Sequence, residues 1–442
     1  MKIRTTVSTI SGKGVLSQIP GELQRLWPGM KVLVIADGNT WKAAGERVER
    51  LIAASGSVNA GSLCSDSFIF STEKPLHADT ERIAELCRVL ENAGQVIPVA
   101  VGSGTLNDIV KRAAFEKGLS YMCVPTAPSV DGYTSFGAAV TINGFKTTLP
   151  CDAPKAIVAD EEILSSAPYR LIAAGYGDLA AKLVSGRDWL LAEALGLETI
   201  DPGVWELSQG KLLSRLSFPE MLRQRNPVAV RGIFDGLCDT GLAMQDQGDS
   251  RPASGAEHHV SHCLEMRGLS VNGIDVLHGE KVAAGTLLSA AMAKYLFSFS
   301  REEITRFAAA ALETGKKERE AEVRRIYEGT GITASAVDDA VTISLEKLVT
   351  GKARTDRLAA ISENWDTLKK RLMDGRPEYE ELRVLIEKAG CPSFSEINLS
   401  PELAGWALHA AQTIRNRYTI LDLAYELGCL DSGIERVLEG LE

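Results

Sequence analysis

Val96–Lys117 reads VIPVAVGSGTLNDIVKRAAFEK, and its three parts decide the architecture. Val96–Val101 is an unbroken apolar run, as expected of a strand buried on both faces of a parallel sheet. Gly102-Ser103-Gly104-Thr105 follows as a turn whose glycines let a ligand approach the backbone. A helix predicted from about Leu106 to Lys117 would aim its free N–H groups at that turn, which favours a phosphate. The pattern is neither GxGxxG nor GxxxxGK(S/T), so it is not a standard dinucleotide or Walker fingerprint. Glycines also make ordinary strand-to-helix turns.

Working outward, Lys31–Ala36 (KVLVIA) is a second buried strand, and Asp37-Gly38-Asn39-Thr40 turns it into a helix over Trp41–Ala54. An acid in that place suits a ribose hydroxyl; an Asx turn or helix cap is the better account of Asp37 taken alone. A weaker strand near Ser67–Phe70 precedes a helix at about Ala78–Ala93, with Ile83, Leu86, Val89 and Leu90 at helical spacing. Downstream, a strand over Tyr121–Val124 opens into Pro125–Ser135, PTAPSVDGYTS. Two prolines stiffen this loop, and its hydroxyls and Asp131 sit at the strand end where open α/β sheets bind ligands. Ala138–Ile142 and Phe145–Leu149 flank Asn143-Gly144, a hairpin signal. A last strand, Lys155–Ala159, ends in Asp160. Residues 1–160 therefore read as an α/β domain.

From Glu161 to the end at residue 442, helical periodicity takes over. Leu171–Leu195 carries Asp178 in apolar surroundings, a costly place for a carboxylate unless it is paired or binds a cation. Metal ligation and an ion pair with Lys182 are both open. Ser254–Gly279 (SGAEHHVSHCLEMRGLSVNGIDVLHG) holds four of the six histidines. On a helix over Ala256–Met266, His258 and His262 share a face and His259 points elsewhere. Two imidazoles on one face can hold a metal, or divide between metal and substrate, although an isolated HxxxH is more often a surface feature. The HExxH pattern of zinc hydrolases is absent. His278 opens a further helix, Gly279–Phe297, and could fold back as another ligand. Arg301–Thr330, Ser335–Leu348 and Asp356–Met373 read as charged amphipathic helices with solvated faces. Ser400–Leu427 reads as an otherwise apolar helix that carries Arg415-Asn416-Arg417-Tyr418, a buried polar contact or a subunit interface.

Composition narrows the function classes. Hydrophobic residues make up 45% and charged residues 24%, and the net charge is −10, which argues against a general nucleic-acid surface. Eight scattered cysteines with no CxxC suit reduced thiols in a cytoplasm. The N-terminal MKIRTTVSTISGKG lacks the apolar core of a signal peptide, and no run approaches the roughly 20 apolar residues that cross a bilayer. The expectation is a cytoplasmic protein without membrane insertion.

Taken in order, GSGTLND, PTAPSVDGYTS, GYGDLAAK, SGAEHHVSH and LHGEK resemble the sn-glycerol-1-phosphate dehydrogenases. These form a branch of the metal-dependent polyol dehydrogenase and dehydroquinate synthase superfamily. The similarity spans roughly residues 30–290 and resumes near 399–430; residues 300–377 are closer to bacterial members than to archaeal ones. It implies a Rossmann-like, mostly parallel N-terminal nucleotide-binding domain and an all-α metal- and substrate-binding domain over residues 161–442, in a dehydroquinate synthase-like fold.

By the same resemblance Asp178, His258 and His278 look like the ligands of one divalent ion, zinc by default, with nickel or iron accommodated. His262 matches a substrate-contacting histidine and Asp131 a substrate-binding aspartate; with Asp178 they form the implied catalytic set. Gly102, Ser103, Gly104, Thr105, Leu106, Asn107 and Asp108 look like the pyrophosphate cradle of NAD(H) or NADP(H). Thr126, Ala127, Pro128, Ser129 and Ser135 match further cofactor contacts. Asp37 looks like the adenosine-ribose acid, which favours NAD(H). The implied substrate is a small phosphorylated triose, dihydroxyacetone phosphate, in a homo-oligomer, a dimer by preference; Lys155, Lys182 and Arg251 are the phosphate candidates by their charge and proximity to these motifs. Alternatives are a polyol dehydrogenase with no phosphate requirement, a dehydroquinate synthase-type lyase and a non-catalytic nucleotide sensor.

Overall fold

The computed structural model describes residues 4–56, 65–73, 75–142 and 145–440. The chain forms two compact units: Met1–Leu179 with Arg215–Asp249, and Ala180–Ser214 with Ser250–Glu442. Residue 160, where the sequence changes from strands to helices, lies inside the first unit. That unit also takes the helices Glu161–Ser166 and Pro227–Gln247.

In the first unit a six-stranded sheet has the order β1-β8-β5-β4-β2-β3, and every pairing in it is parallel. Its strands are β1 (Ser8–Gly12), β2 (Lys31–Asp37), β3 (Ser65–Phe70), β4 (Val96–Gly102), β5 (Met122–Pro125) and β8 (Ala156–Asp160). All seven residues of β4 and five of seven in β2 are buried, as two covered faces require. On one face Val32, Val34, Ile97, Val99 and Val101 pack with Leu16, Ile19, Val48 and Ile52 in one cluster; each such side chain contributes roughly 1.5–3 kcal/mol by leaving water. β6 (Ala138–Ile142) and β7 (Phe145–Leu149) pair antiparallel, as the hairpin reading expects; its Asn143-Gly144 turn lies outside the described residues. Sequence reading passed over β1, an edge strand with one large apolar residue, Ile10.

The second unit is almost entirely helical. The helix Ala256–Met266 packs against His278–Phe297 and Pro401–Ala411. One apolar cluster joins Val260, Cys263 and Leu264 to Leu288, Met292 and Leu296, and then to Val323, Val341, Ile361, Trp365 and Leu372. Residues 300–377 therefore do more than present solvated faces: five helices, from Arg301–Ala310 to Trp365–Met373, each bury at least one apolar side chain in this core. The expected single helix over 400–427 is two, Pro401–Ala411 and Ile420–Glu426, and Arg415–Tyr418 lies in the break. Its Arg417 donates to the Ser254 carbonyl and to Ser250 Oγ, anchoring the chain just before the histidine-bearing helix. Among the described residues no single helix is long and apolar enough to cross a membrane, and the seven described cysteines form no disulfide with one another.

Candidate active site

The sheet changes direction between β2 and β4: the chain adds β3 on one side of β2, then crosses to place β4 on the other. Ligands of open α/β sheets bind at such a reversal, outside the carboxyl ends of the strands. Ile35 is level with Ala100, so continuing the register puts Asp37 level with Gly102. Asp37 Oδ1 accepts from the N–H groups of Asn39 (2.7 Å) and Thr40 (2.9 Å). Asp37 is thus a helix cap in its own right, with Oδ2 outside the cap.

β4 runs through Gly102 and the next helix, Gly104–Glu116, begins two residues later. The expected four-residue turn narrows to Ser103, with Thr105 already in the helix. A Cβ at Gly102 would meet Leu106 Cδ2 at 2.3 Å, and one at Gly104 would meet Val130 Cγ2 at 2.9 Å. Leu106 and Asn107 are buried, whereas Ser103, Gly104, Thr105 and Asp108 are part-exposed. Asn107 spends its side chain on the fold, donating to the Gly132 carbonyl (3.2 Å) and accepting from Tyr121 Oη (2.9 Å).

Thr126, Ala127, Pro128, Ser129 and Ser135 are all buried. The Thr126 N–H donates to the Gly102 carbonyl, and Tyr133 Oη donates to the Ala127 carbonyl at 2.6 Å. Lys111 Nζ is fully buried and donates to the carbonyls of Gly132, Ser135 and Gly137 at 2.7–3.0 Å. It was not singled out from the sequence, where it is one lysine on a mixed helix. Gly175 on the helix Tyr169–Ala194 lies so close that a Cβ there would fall 1.6 Å from the Pro128 carbonyl oxygen.

The same helix carries Asp178, which is fully buried and accepts at Oδ2 from the Asp131 N–H (2.9 Å). His258 and His278, the other two expected metal ligands, lie beside His262 in the second unit. The His258, His262 and His278 rings are 5.6–6.3 Å apart between centroids. Each Nδ1 meets a carboxylate: His258 with Glu257 at 2.8 Å, His262 with Glu265 at 3.2 Å and His278 with the other oxygen of Glu265 at 3.1 Å. A ring that donates from Nδ1 keeps its lone pair on Nε2. Burial pushes the His262 pKa down to about 4, partly opposed by Glu265, so this ring is neutral near pH 7. His259 is fully buried and its pKa is also pushed down, chiefly by burial.

A model of the iron-containing alcohol dehydrogenases matches residues 10–168. The glycerol-1-phosphate dehydrogenase (NAD(P)+) of Halalkalibacterium halodurans is 32% identical over 339 residues, covering 73% of this chain and 83% of that protein. The chain belongs to the glycerol-1-phosphate dehydrogenase family. The Thermococcus kodakarensis member is 32% identical over 298 residues, 67% of this chain and 81% of its own length. Glycerol dehydrogenase from Schizosaccharomyces pombe has the same fold, with a TM-score of 0.61 at 14% identity over 100% of this chain and 93% of that one.

As a glycerol-1-phosphate dehydrogenase family member, the chain is an oxidoreductase, and the family implies NAD(P) and a divalent metal. Two site residues escaped the sequence reading, Glu257 and Glu265. Their signal was present: each sits on the histidine-bearing helix, Glu257 beside His258 and Glu265 three residues after His262. The phosphate candidates fare unevenly. Lys155 precedes β8, at the amino end of the sheet, with Nζ 5.2 Å from the Trp27 ring centroid. Arg251 is buried and paired with Glu198 at 2.7 Å. Lys182 is fully buried, with Nζ 3.3 Å from the Ala253 carbonyl.

Proposed function

We propose that the chain catalyses the reversible, NAD(P)H-dependent reduction of dihydroxyacetone phosphate to sn-glycerol 1-phosphate. The observation that carries this reading is the gathering of His258, His262 and His278, with ring centroids 5.6–6.3 Å apart, in a chain whose relatives bear that enzyme's name; Asp178 is the carboxylate that would complete the metal's donors. Two imidazoles and a carboxylate suit a catalytic divalent ion with positions left for substrate oxygen, zinc by donor type, nickel or iron by tolerance. Such an ion, when bound, polarises the C2 oxygen as a Lewis acid.

The protein's residues position the reactants and move the proton. In the alcohol-oxidising direction, His262 takes the hydroxyl proton on Nε2, and Glu265 beside Nδ1 offsets the charge the ring gains. A nicotinamide coenzyme held by the residues below would supply the hydride chemistry at the substrate C2, and in the reducing direction His262 returns the proton. Asp131 holds a substrate hydroxyl. Ser103–Thr105 and the helix that follows bind the pyrophosphate through backbone N–H groups, while Asp37 at the end of β2 binds the adenosine ribose and favours NAD(H). Lys182 remains in this reading as a phosphate contact, and the enzyme acts as a cytoplasmic homodimer.

The test follows NADH absorbance with dihydroxyacetone phosphate and, separately, dihydroxyacetone, before and after stripping and restoring Zn²⁺ or Ni²⁺. Metal-dependent oxidation seen mainly with the phosphate, giving the sn-1 product on chiral analysis, supports the proposal. Equal rates with both ketones would make the protein a polyol dehydrogenase. Full turnover after complete metal removal would remove the Lewis-acid role.

A further inference from the structure

We propose that Glu265 is a positioning residue that sets the tautomer of two histidines at once, the metal-side His278 and the substrate-side His262. This rests on the metal and proton-transfer reading above. Glu265 lies one turn beyond His262, on the last turn of its helix. Its two oxygens are divided between the rings, Oε2 to His262 Nδ1 at 3.2 Å and Oε1 to His278 Nδ1 at 3.1 Å. Lys281 Nζ, on the helix that His278 opens, is 3.3 Å from the same Oε1. The carboxylate is nearly buried, with 7% of the side chain exposed. It is shut away from water and beside a cation, both of which strengthen its hold on the N–H groups it faces.

The chemistry of the acceptor makes the assignment specific. An ionised carboxylate only accepts, so both rings must place a proton on Nδ1, which leaves both Nε2 atoms free to bind or to take a proton. No neutral side chain of the same shape can do this for two rings together. A glutamine offers one accepting oxygen and one donating NH2 group. Whichever ring meets the NH2 group must accept there, move its proton to Nε2 and lose the lone pair that its role requires. The carboxylate therefore links metal affinity to proton transfer. Glu257, which serves His258 alone and also accepts the Gly255 N–H, lacks that link.

The experiment uses the full-length protein and Glu265→Gln. In chelator-treated protein with ¹⁵N-labelled histidine, long-range ¹H–¹⁵N spectra read the tautomer of each of the six rings without metal or turnover. The wild type should show His262 and His278 protonated on Nδ1, and the variant should move at least one of them to Nε2. Competition with a chromophoric chelator should show Zn²⁺ bound about 10- to 100-fold more weakly by the variant, the usual cost of losing such a partner. Turnover at saturating Zn²⁺ should also stay below that of the wild type. Unchanged tautomers and unchanged Zn²⁺ affinity in Glu265→Gln would overturn the proposal. So would an Nε2-protonated His278 in the wild type, a result available even if the variant does not fold. Failure of the metal reading looks different: His258→Ala would then bind Zn²⁺ as tightly as the wild type.

Discussion

The backbone N–H of Asp131 donates to Oδ2 of Asp178 across 2.9 Å. One oxygen of the buried carboxylate is thus committed to the loop 125–135. An asparagine at 178 that keeps the loop bond through its oxygen has to turn an NH2 group to the other side, where it cannot bind a cation. Asp178→Asn is expected to lose at least about a hundredfold in metal affinity, with NADH binding retained. Metal content by mass spectrometry and NADH fluorescence titration check both halves. A variant that holds metal normally would remove Asp178 from the ligand set.

Gly175 is the second fixed point beneath that loop. A methyl group there would lie 1.6 Å from the Pro128 carbonyl oxygen, and because the obstruction is backbone, the loop or the helix has to move. We expect Gly175→Ala to cost at least about 2 kcal/mol and to weaken NADH binding. Urea unfolding and a binding titration of the same sample report the two effects. Wild-type values in both would show that the loop yields freely.

Lys111 gathers three carbonyls with one ammonium group. Lys111→Met keeps the stem and removes the charge, taking that donor from the Ser135 and Gly137 carbonyls, while the Gly132 carbonyl keeps the Asn107 amide. Each hydrogen bond to a charged group is worth about 1.5–3 kcal/mol, and relaxation will recover some of the loss. A destabilisation of about 3 kcal/mol or more is expected by chemical denaturation; less than 1 kcal/mol would mean that water replaces the ammonium.

Asp188 supplies a pH-dependent signal. Burial, with Glu257 next, pushes its pKa up to about 7, against the pull of the Ala256 and Ile420 N–H groups. Its folded pKa lies above the unfolded one, near 3.8, so the folded state holds the extra proton between the two. The resulting stability is complete at low pH and is lost as pH rises through about 7. Asp188→Asn removes that term along with a hydrogen-bond acceptor. Its cost relative to wild type should therefore be smaller at pH 8 than at pH 6 in urea melts; a cost that grows with pH would contradict this assignment.

Much of this architecture was legible in the sequence because it depends on long apolar runs and punctuation. Val96–Val101, Lys31–Ala36 and the Gly-Ser-Gly turn announce buried strands and a helix start whatever packs on them. His258 and His262 share a face by periodicity alone. What sequence reading missed depends on partners distant along the chain. β1 is a strand because Ser8–Gly12 has β8 beside it, not because its composition asks for one. Glu265 reads as an ordinary polar residue until His278, thirteen positions on, returns to its other oxygen. The helices of residues 300–377 carry enough charge to look solvated, while their few apolar side chains, Trp365 and Ile361 among them, decide where they lie.

Those helices also bear on any attempt to shorten the protein. Trp365 donates from Nε1 to the Phe299 carbonyl, and its ring lies 6.1 Å from that of Phe297, at the far end of the helix that His278 begins. Excising residues 300–377 to make a minimal catalyst would strip this buttress away and leave Leu296 and Phe297 facing water. The first symptom would be clumping during purification, well before any assay could be run, and a pruned version would need new polar surface along that seam to stay in solution.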